Sequence, residues 1–311
     1  MDVLFDIADL KRVPGPLHLA IGVFDGLHIG HQAVINEAKT SAAENGGTPV
    51  VVTFDPHPVE VLSPRNTPRL LTAPVHKIRL LHQKFGISHV LVIAFHEEFA
   101  ALTGEEFVEA LVAAAPDSGI EKICVGENWE FGKRRSGNLA LLQDLGEKLG
   151  FTVNGIETVE VNGLRVSSTR IREAISSGDF AIAKKLLGRD YTVVGTVIEG
   201  KKNGRTIGFP TANIDPHREQ LPPTGVYAVT ATGAGDGWNG VANLGYRPTV
   251  EEEKMRRLLE VNLFGLNFEI YGEELEIQFV KFLRPEMKFD GMKELKAQIS
   301  KDVESARAVW A

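Results

Sequence analysis

Two histidines three residues apart, His28 and His31, stand where the apolar run L-H-L-A-I-G-V-F gives way to the glycine-studded D-G-L-H-I-G-H. Residues at that spacing share one face of a helix, so both imidazoles can meet one ligand. The glycines at 22, 26 and 30 leave room for close backbone approach. A helix beginning here would present unpaired N–H groups and the positive end of its dipole, the usual setting for a phosphate. Two imidazoles could donate to phosphate oxygens. The pair could also be half of a metal site, although no further His, Cys or acidic cluster with ligand spacing accompanies it, or a patch of plain surface.

Farther on, V-S-S-T-R-I-R at 166–172 opens a helix predicted over 169–177, with Ser168, Thr169, Arg165 and Arg170 at its start. Hydroxyls and guanidinium forks are oriented donors for a polyphosphate, and the same residues also read as a helix cap beside a solvated face. In T-F-D-P-H-P at 53–58 the prolines stiffen a loop just past an apolar strand, where ligands of parallel sheets lie. Lys133, Arg134 and Arg135 form a basic run that reads more naturally as a solvated loop than as a phosphate clamp.

A second group of candidates lies beyond residue 200. Gly208 and Pro210 fix an unusual backbone path, after which Thr211 and Asn213 offer a hydroxyl and an amide on one side of an extended chain. Oxygen donors of that kind suit magnesium held chiefly by phosphate and water. In L-L-E-V-N-L-F, alternation places Leu259, Val261 and Leu263 on one face and Glu260 and Asn262 on the other, so Glu260 taken alone is an outward carboxylate. The stretch G-T-V-I-E-G-K-K at 195–202 meets the phosphate-loop spacing until Lys202 replaces the hydroxyl residue, and its β-like surroundings reject it. Asn203-Gly204 signals a tight hairpin turn.

The elements that must carry these residues follow two grammars. Up to about residue 187, the runs at 17–24, 49–54, 89–95 and 122–126 alternate with helix-like segments around 31–44, 76–85, 104–115 and 138–149. That alternation predicts a parallel sheet with helices on both faces, a Rossmann-like α/β domain. After Gly188, short β runs broken by Gly, Pro and Asn-Gly predict a small antiparallel β-barrel, closed by a last helix over roughly 290–308. The boundary falls at 186/187, giving domains 1–186 and 187–311. A chain of 311 residues is long enough for two cores.

The net charge of −7 argues against a nucleic-acid partner and leaves anionic small molecules open. No apolar stretch reaches the length of a membrane span and the first residues lack a leader's pattern, so a cytoplasmic location is expected. Cys124, alone of its kind in K-I-C-V-G, reads as a buried strand thiol. Association into a homo-oligomer is compatible with the sequence and not indicated by it.

Taken in order, F-D-G-L-H-I-G-H, T-F-D-P-H-P, V-G-E-N-W-E-F-G at 125–132 and V-S-S-T-R-I-R resemble the FAD synthetase module of the prokaryotic bifunctional riboflavin kinase/FAD synthetase family. G-R-T-I-G-F-P-T-A-N-I at 204–214, with E-V-N-L, G-V-A-N-L-G-Y-R-P-T and F-L-R-P-E-M-K-F, resembles its riboflavin kinase module, so the likeness covers nearly the whole chain. It implies that His28 and His31 contact ATP phosphates, while Ser168, Thr169, Arg165 and Arg170 close on the β and γ phosphates from the opposite side. By the same resemblance Gly22, Phe24, Asp25, Gly30 and Asn128 belong to the ATP site, and Phe54, Asp55 and Pro58 help form the flavin site. In the barrel it places Gly208 and Pro210 at ATP, Thr211 and Asn213 at the metal, and Glu260 as general base for the ribityl 5′-hydroxyl.

Two positions depart from the family's pattern. Asn128 stands where Asp is frequent, which keeps hydrogen bonding and drops the charge; Asn262 stands where His is frequent. Arg247 and Arg284 receive no role. The implied activity is bifunctional: riboflavin and ATP give FMN, then FMN and ATP give FAD and pyrophosphate, with Mg2+ serving both reactions and no partner beyond these small molecules. The alternatives are a nucleotidylyltransferase for another small acceptor carrying a regulatory flavin-binding barrel, and a flavin-sensing module without turnover.

Overall fold

The computed structural model describes residues 1–200, 208–233, 235–248 and 255–311. The predicted Asn203-Gly204 turn and Lys202 lie outside the described residues. The chain divides into two compact units, one formed by Met1–Arg69 with Pro74–Ser168 and the other by Leu70–Ala73 with Thr169–Ala311. The expected boundary at 186/187 coincides with the end of a helix, Phe180–Leu187.

The first unit is built on β1 (Asp2–Leu4), β2 (Leu17–Ile21), β3 (Thr48–Asp55), β4 (His89–Ala94), β5 (Ile120–Gly126) and β6 (Thr152–Ile156). These strands form one parallel six-stranded sheet in the order β1-β4-β3-β2-β5-β6. The order reverses direction at β2, whose neighbours are β3 and β5. Such a reversal opens a crevice at the carboxyl ends of the strands.

Successive residues of each strand serve opposite cores. Leu19, Ile21, Val50, Val52, Leu91, Ile93 and Ile123 pack on one face together with Phe107, Leu111, Leu142 and Leu145. Those four residues come from helices Gly104–Ala113 and Leu139–Leu149. Ala20, Val51, Val90, Val92 and Cys124 pack on the other face with Val34, Ile35, Leu80 and Leu81. That face is covered by α1 (Ile29–Asn45) and by a helix over Pro74–Gln83. Burial on both faces is why the strands read as unbroken apolar runs. Cys124 is fully buried, and burial pushes its thiol up to about 12, so it is inert.

A short hairpin, β7 (Glu160–Val161) and β8 (Leu164–Arg165), turns through Asn162 and Gly163, both with positive φ. It holds Arg165 opposite Glu160.

The second unit is an antiparallel closed barrel in the order β10-β13-β12-β11-β14-β9. Its strands are β9 (Thr192–Ile198), β10 (Ala212–Asp215), β11 (Gly225–Gly233), β12 (Asp236–Pro248), β13 (Met255–Leu263) and β14 (Glu274–Arg284). Leu244, Leu259, Val261, Leu275 and Ile277 are all buried. The closing helix, Met292–Arg307, packs Ala306 and Val303 against Val226, Ala228 and Val241. It is pinned by Arg284, whose guanidinium donates from Nε and an NH2 group to both oxygens of Asp302 at 2.8 and 2.6 Å. The Arg284 left unassigned from sequence is therefore a strut.

Glu219, fully buried, accepts the N–H groups of Ala73 at 2.6 Å and Val194 at 2.7 Å. That carboxylate ties Ala73 to β9.

Two candidate active sites

The chain leaves β2 through Phe24, Gly26 and Leu27, all with positive φ (51°, 86° and 46°). For Phe24 and Leu27 this backbone is costly, and it persists because both side chains are locked in the core, 2% and 0% exposed. Gly22 makes the path possible, since a Cβ there would stand 3.0 Å from the Phe24 ring. The distortion delivers His28 to the N-cap of α1, where its Nδ1 accepts the N–H of His31 at 3.2 Å.

The two imidazoles stack, 3.5 Å between centroids and 18° between planes, and Phe24 meets the outer face of His31 edge-on at 5.4 Å. A Cβ at Gly30 would come within 3.2 Å of the His28 ring, so glycine keeps that ring over the first helical turn. Because His28 Nδ1 is an acceptor, its neutral ring carries the proton on Nε2. Burial lowers the His28 pKa to about 4, with Arg165 adding to the effect. His31 is held well below its ordinary value by burial, then by His28 and Lys77. Both rings are neutral donors at pH 7, and Nδ1 of His31 is buried without a hydrogen-bond partner.

The other predicted residues of this site arrive from separate elements. Ser168 donates its hydroxyl to the carbonyl of Asp25 at 2.9 Å, which ties the start of its helix to the β2 loop. Arg165 is exposed on its hairpin and close enough to depress both His28 and Glu127. Thr169 and Arg170 follow Ser168 in the helix Ser168–Ser177, and the phosphate role expected of them rests on the resemblance alone.

Asn128, just past β5, donates to Glu127 at 3.2 Å and to the Thr158 hydroxyl at 3.1 Å. Glu127, not noticed in the sequence, accepts the Thr158 N–H at 2.9 Å and its hydroxyl at 2.6 Å, and these bonds lower its pKa. Asp55 ends β3 with its carboxyl partly desolvated, which raises its pKa against an opposing pull from Lys77. Pro58 opens the short helix Pro58–Leu62, which His57 caps.

Phe54 is only 8% exposed and belongs to an aromatic cluster with Phe95, Phe99 and Phe107. The half-buried rings at this end of the sheet are Phe95, Phe99 and Trp129, the last stacked on Phe131 at 4.4 Å. The run Lys133–Arg135 is an exposed turn, with Arg135 paired to Glu130. Lys77, which periodicity had placed only within a helix, is buried beneath the β2 loop; its ammonium donates to the Val23 carbonyl at 2.7 Å.

In the barrel, register assembles a polar row. Glu260 lies directly opposite Asn213 of β10 and opposite Asn243 of β12, so the three side chains share the outer face. Leu259 and Val261 point inward, as alternation required. Asn213 is 8% exposed, and a Cβ at Gly200 would overlap its amide, so glycine there makes the space it occupies. Asn262 donates to the Pro210 carbonyl at 2.6 Å and so fixes the segment leading to Thr211. Gly208 takes φ +87°, a left-handed turn that favours glycine.

A cleft of mixed polar and apolar lining adjoins Thr211 and Pro210, with Val197, Val261, Leu263, Phe268, Ile270 and Tyr271 among its walls and Glu269 beside them. Among the described residues, no cluster of three or more His, Cys, Asp or Glu side chains is gathered to hold a metal, and no helix is long and apolar enough to cross a membrane.

Comparison with known proteins matches each unit separately. The family model of FAD synthetase matches residues 11–170 and that of riboflavin kinase matches 187–310. The bifunctional riboflavin kinase/FMN adenylyltransferase of Bacillus subtilis is 41% identical over 292 residues, covering 93% of this chain and 90% of that protein. That of Haemophilus influenzae is 38% identical, covering 100% and 99%; that of Escherichia coli is 37% identical, covering 99% and 97%. A crystal structure named as a macrolide-efflux protein from Streptococcus pneumoniae covers 98% of each chain at 30% identity, with a TM-score of 0.80.

Proposed function

The chain belongs to the bifunctional riboflavin kinase/FMN adenylyltransferase family, and on that premise we propose how its two sites divide the work. The protein is an enzyme that phosphorylates riboflavin to FMN in its C-terminal region and adenylylates FMN to FAD in its N-terminal region. ATP is the co-substrate of both reactions. The functional division falls at 186/187, a reading supported by the family matches on either side of it. The work is done in the cytoplasm, with these small molecules as the enzyme's partners.

For adenylyl transfer, ATP lies across the amino end of α1, with the two imidazoles donating to its phosphates. The carrying observation is the stacked, neutral His28–His31 pair at a helix N-terminus, at the strand end where the sheet order reverses. Ser168 and Arg165 complete the grip, Thr169 and Arg170 join it along the same helix, and the backbone at Gly22, Phe24, Asp25 and Gly30 lines it. An oxygen of the FMN phosphate attacks the α-phosphorus, and the bond to the departing pyrophosphate breaks. That nucleophile is already anionic, so no base is needed; alignment and neutralisation of the leaving charge suffice. Asn128 holds the nucleotide, and the flavin ring rests on the half-buried faces of Phe95, Phe99 and Trp129 beyond Asp55 and Pro58, with Phe54 as their support.

For riboflavin phosphorylation, Glu260 accepts the 5′-hydroxyl proton as the hydroxyl oxygen attacks the γ-phosphorus and ADP leaves. Thr211 and Asn213 offer neutral oxygens one residue apart beside that carboxylate, a donor set that fits a hard cation held mainly by phosphates and water. Mg2+ bound there would neutralise phosphate charge. Gly208 and Pro210 shape the turn on which the nucleotide lies, and its adenine enters the cleft beside Thr211.

Incubation with riboflavin, ATP and Mg2+, followed by chromatography over time, tests both assignments. The parent forms FMN and then FAD. His31→Ala stops at FMN, whereas Glu260→Gln converts supplied FMN to FAD but phosphorylates riboflavin about 10²-fold or more slowly. A folded His31→Ala protein that loses both activities equally, or a Glu260→Gln protein at the parent rate, overturns the respective assignment.

A further inference from the structure

Among the described residues, Lys77 is a strongly basic side chain buried under the β2 loop for which the mechanism above has no use. It is 7% exposed, and its ammonium donates to the Val23 carbonyl at 2.7 Å and to the Thr53 hydroxyl at 3.1 Å. Thr53 in turn donates to the same carbonyl at 3.0 Å. Val23 follows β2 and Thr53 lies in β3, so one cation joins the carboxyl ends of adjacent strands directly beneath the Phe24–Leu27 turn. Asp25, in that turn, is 3% exposed, and Asp55 ends β3. Both carboxylates act on Lys77 and oppose the effect of its burial, which lowers its pKa.

A lysine is a costly way to brace two strands if hydrogen bonding is the whole purpose, because a buried ammonium must recover its lost hydration from paired charge. The charge has a clear use here. Asp25 sits in the segment that leads to the His28–His31 pair, and an uncompensated buried carboxylate would repel the polyphosphate brought to the same turn. We propose that Lys77 is the positioning residue of the adenylyl-transfer site: it braces the β2 loop and cancels the charge of Asp25 so that a nucleoside triphosphate is accepted there. The proposal rests on the adenylyl-transfer reading of this unit.

The test measures FAD formation from FMN and ATP in the full-length protein, with folding checked by circular dichroism and riboflavin phosphorylation as the control in the same molecule. Lys77→Met and Lys77→Gln are expected to raise the KM for ATP in FAD formation at least about tenfold, the equivalent of losing one modest charge pair. Riboflavin phosphorylation stays at the parent rate. Adding Asp25→Asn to Lys77→Met restores charge balance, and the double variant recovers much of the lost affinity, which a mere brace would not do.

Folded single variants with a parental KM for ATP overturn the proposal. So does a double variant no better than Lys77→Met, which would leave Lys77 a brace only. If neither single variant folds, the charge-balanced double variant decides: a KM near the parent's upholds the proposal, and a tenfold rise refutes it. A parent protein that makes no FAD from FMN would instead sink the adenylyl-transfer reading itself.

Discussion

Acid should attack this enzyme through His28. In the folded chain its Nδ1 accepts the N–H of His31, its ring stacks on another imidazole, and only 7% of the residue is exposed. A proton added at Nδ1 would break the helix cap and place positive charge at the positive end of the α1 dipole. The folded pKa, about 4, lies below the ordinary histidine value of 6.5 expected for the unfolded chain. Between those values the unfolded state binds more protons, so the stabilisation is complete above pH 6.5 and is lost as pH falls toward 4.

With those two values, linkage gives a loss of about 3 kcal/mol at pH 4, a large share of the stability of an ordinary domain. Burial also lowers the pKa values of His18 and His31, and carboxylates add their own response to acid, so a single curve is not diagnostic. The difference between parent and His28→Asn is. Asparagine also caps a helix and does not titrate. Urea unfolding of the N-terminal unit from pH 7 to 4 should show the parent losing about 3 kcal/mol more than the variant. Parallel curves would refute the claim that His28 is buried neutral.

Two further outcomes test the framework of the second unit. Arg284→Met leaves the 7%-exposed Asp302 carboxylate with the Gln298 amide as a hydrogen-bond donor but no paired cation, so the barrel unit should lose about 2–4 kcal/mol by thermal melting; a shift under about 1 kcal/mol would show that the closing helix is held by apolar packing alone. Glu219→Gln weakens two charge-assisted bonds and should cost about 1.5–3 kcal/mol, with amide exchange of Ala73 and Val194 quickening first; unchanged exchange at both would remove the clamp assigned to that carboxylate.

The fold was legible because its strands obey simple periods. Burial on both faces gives β2 through β5 predominantly apolar centres, and strict alternation around Leu259 and Val261 marks a one-sided barrel strand. The three-residue β1, the edge strand β6 and the β7–β8 hairpin escaped notice; the first is too short for any period, β6 is broken by Asn154-Gly155, and Asn162-Gly163 in V-N-G-L carried a turn signal that was overlooked.

Candidate site residues were legible where the proposed chemistry is local in sequence. His28, Gly30 and His31 fall within one turn at the start of a helix, and Thr211 and Asn213 within one strand entry, so spacing alone suggests shared ligands. Lys77 and Glu219 differ in kind. Each is an ordinary charged residue in a helix or turn pattern, and each acquires meaning only when folding sets it against a partner distant in sequence: Val23 lies 54 residues from Lys77, and Ala73 lies 146 from Glu219. Their signature is energetic rather than sequential, since a side chain that should prefer water is buried. A buried charge has to be compensated by groups that the chain brings there, and those groups include the β2 loop carbonyl of Val23 in the case of Lys77. Spacing therefore finds the donors that face a ligand, while burial finds the charges that hold those donors in place.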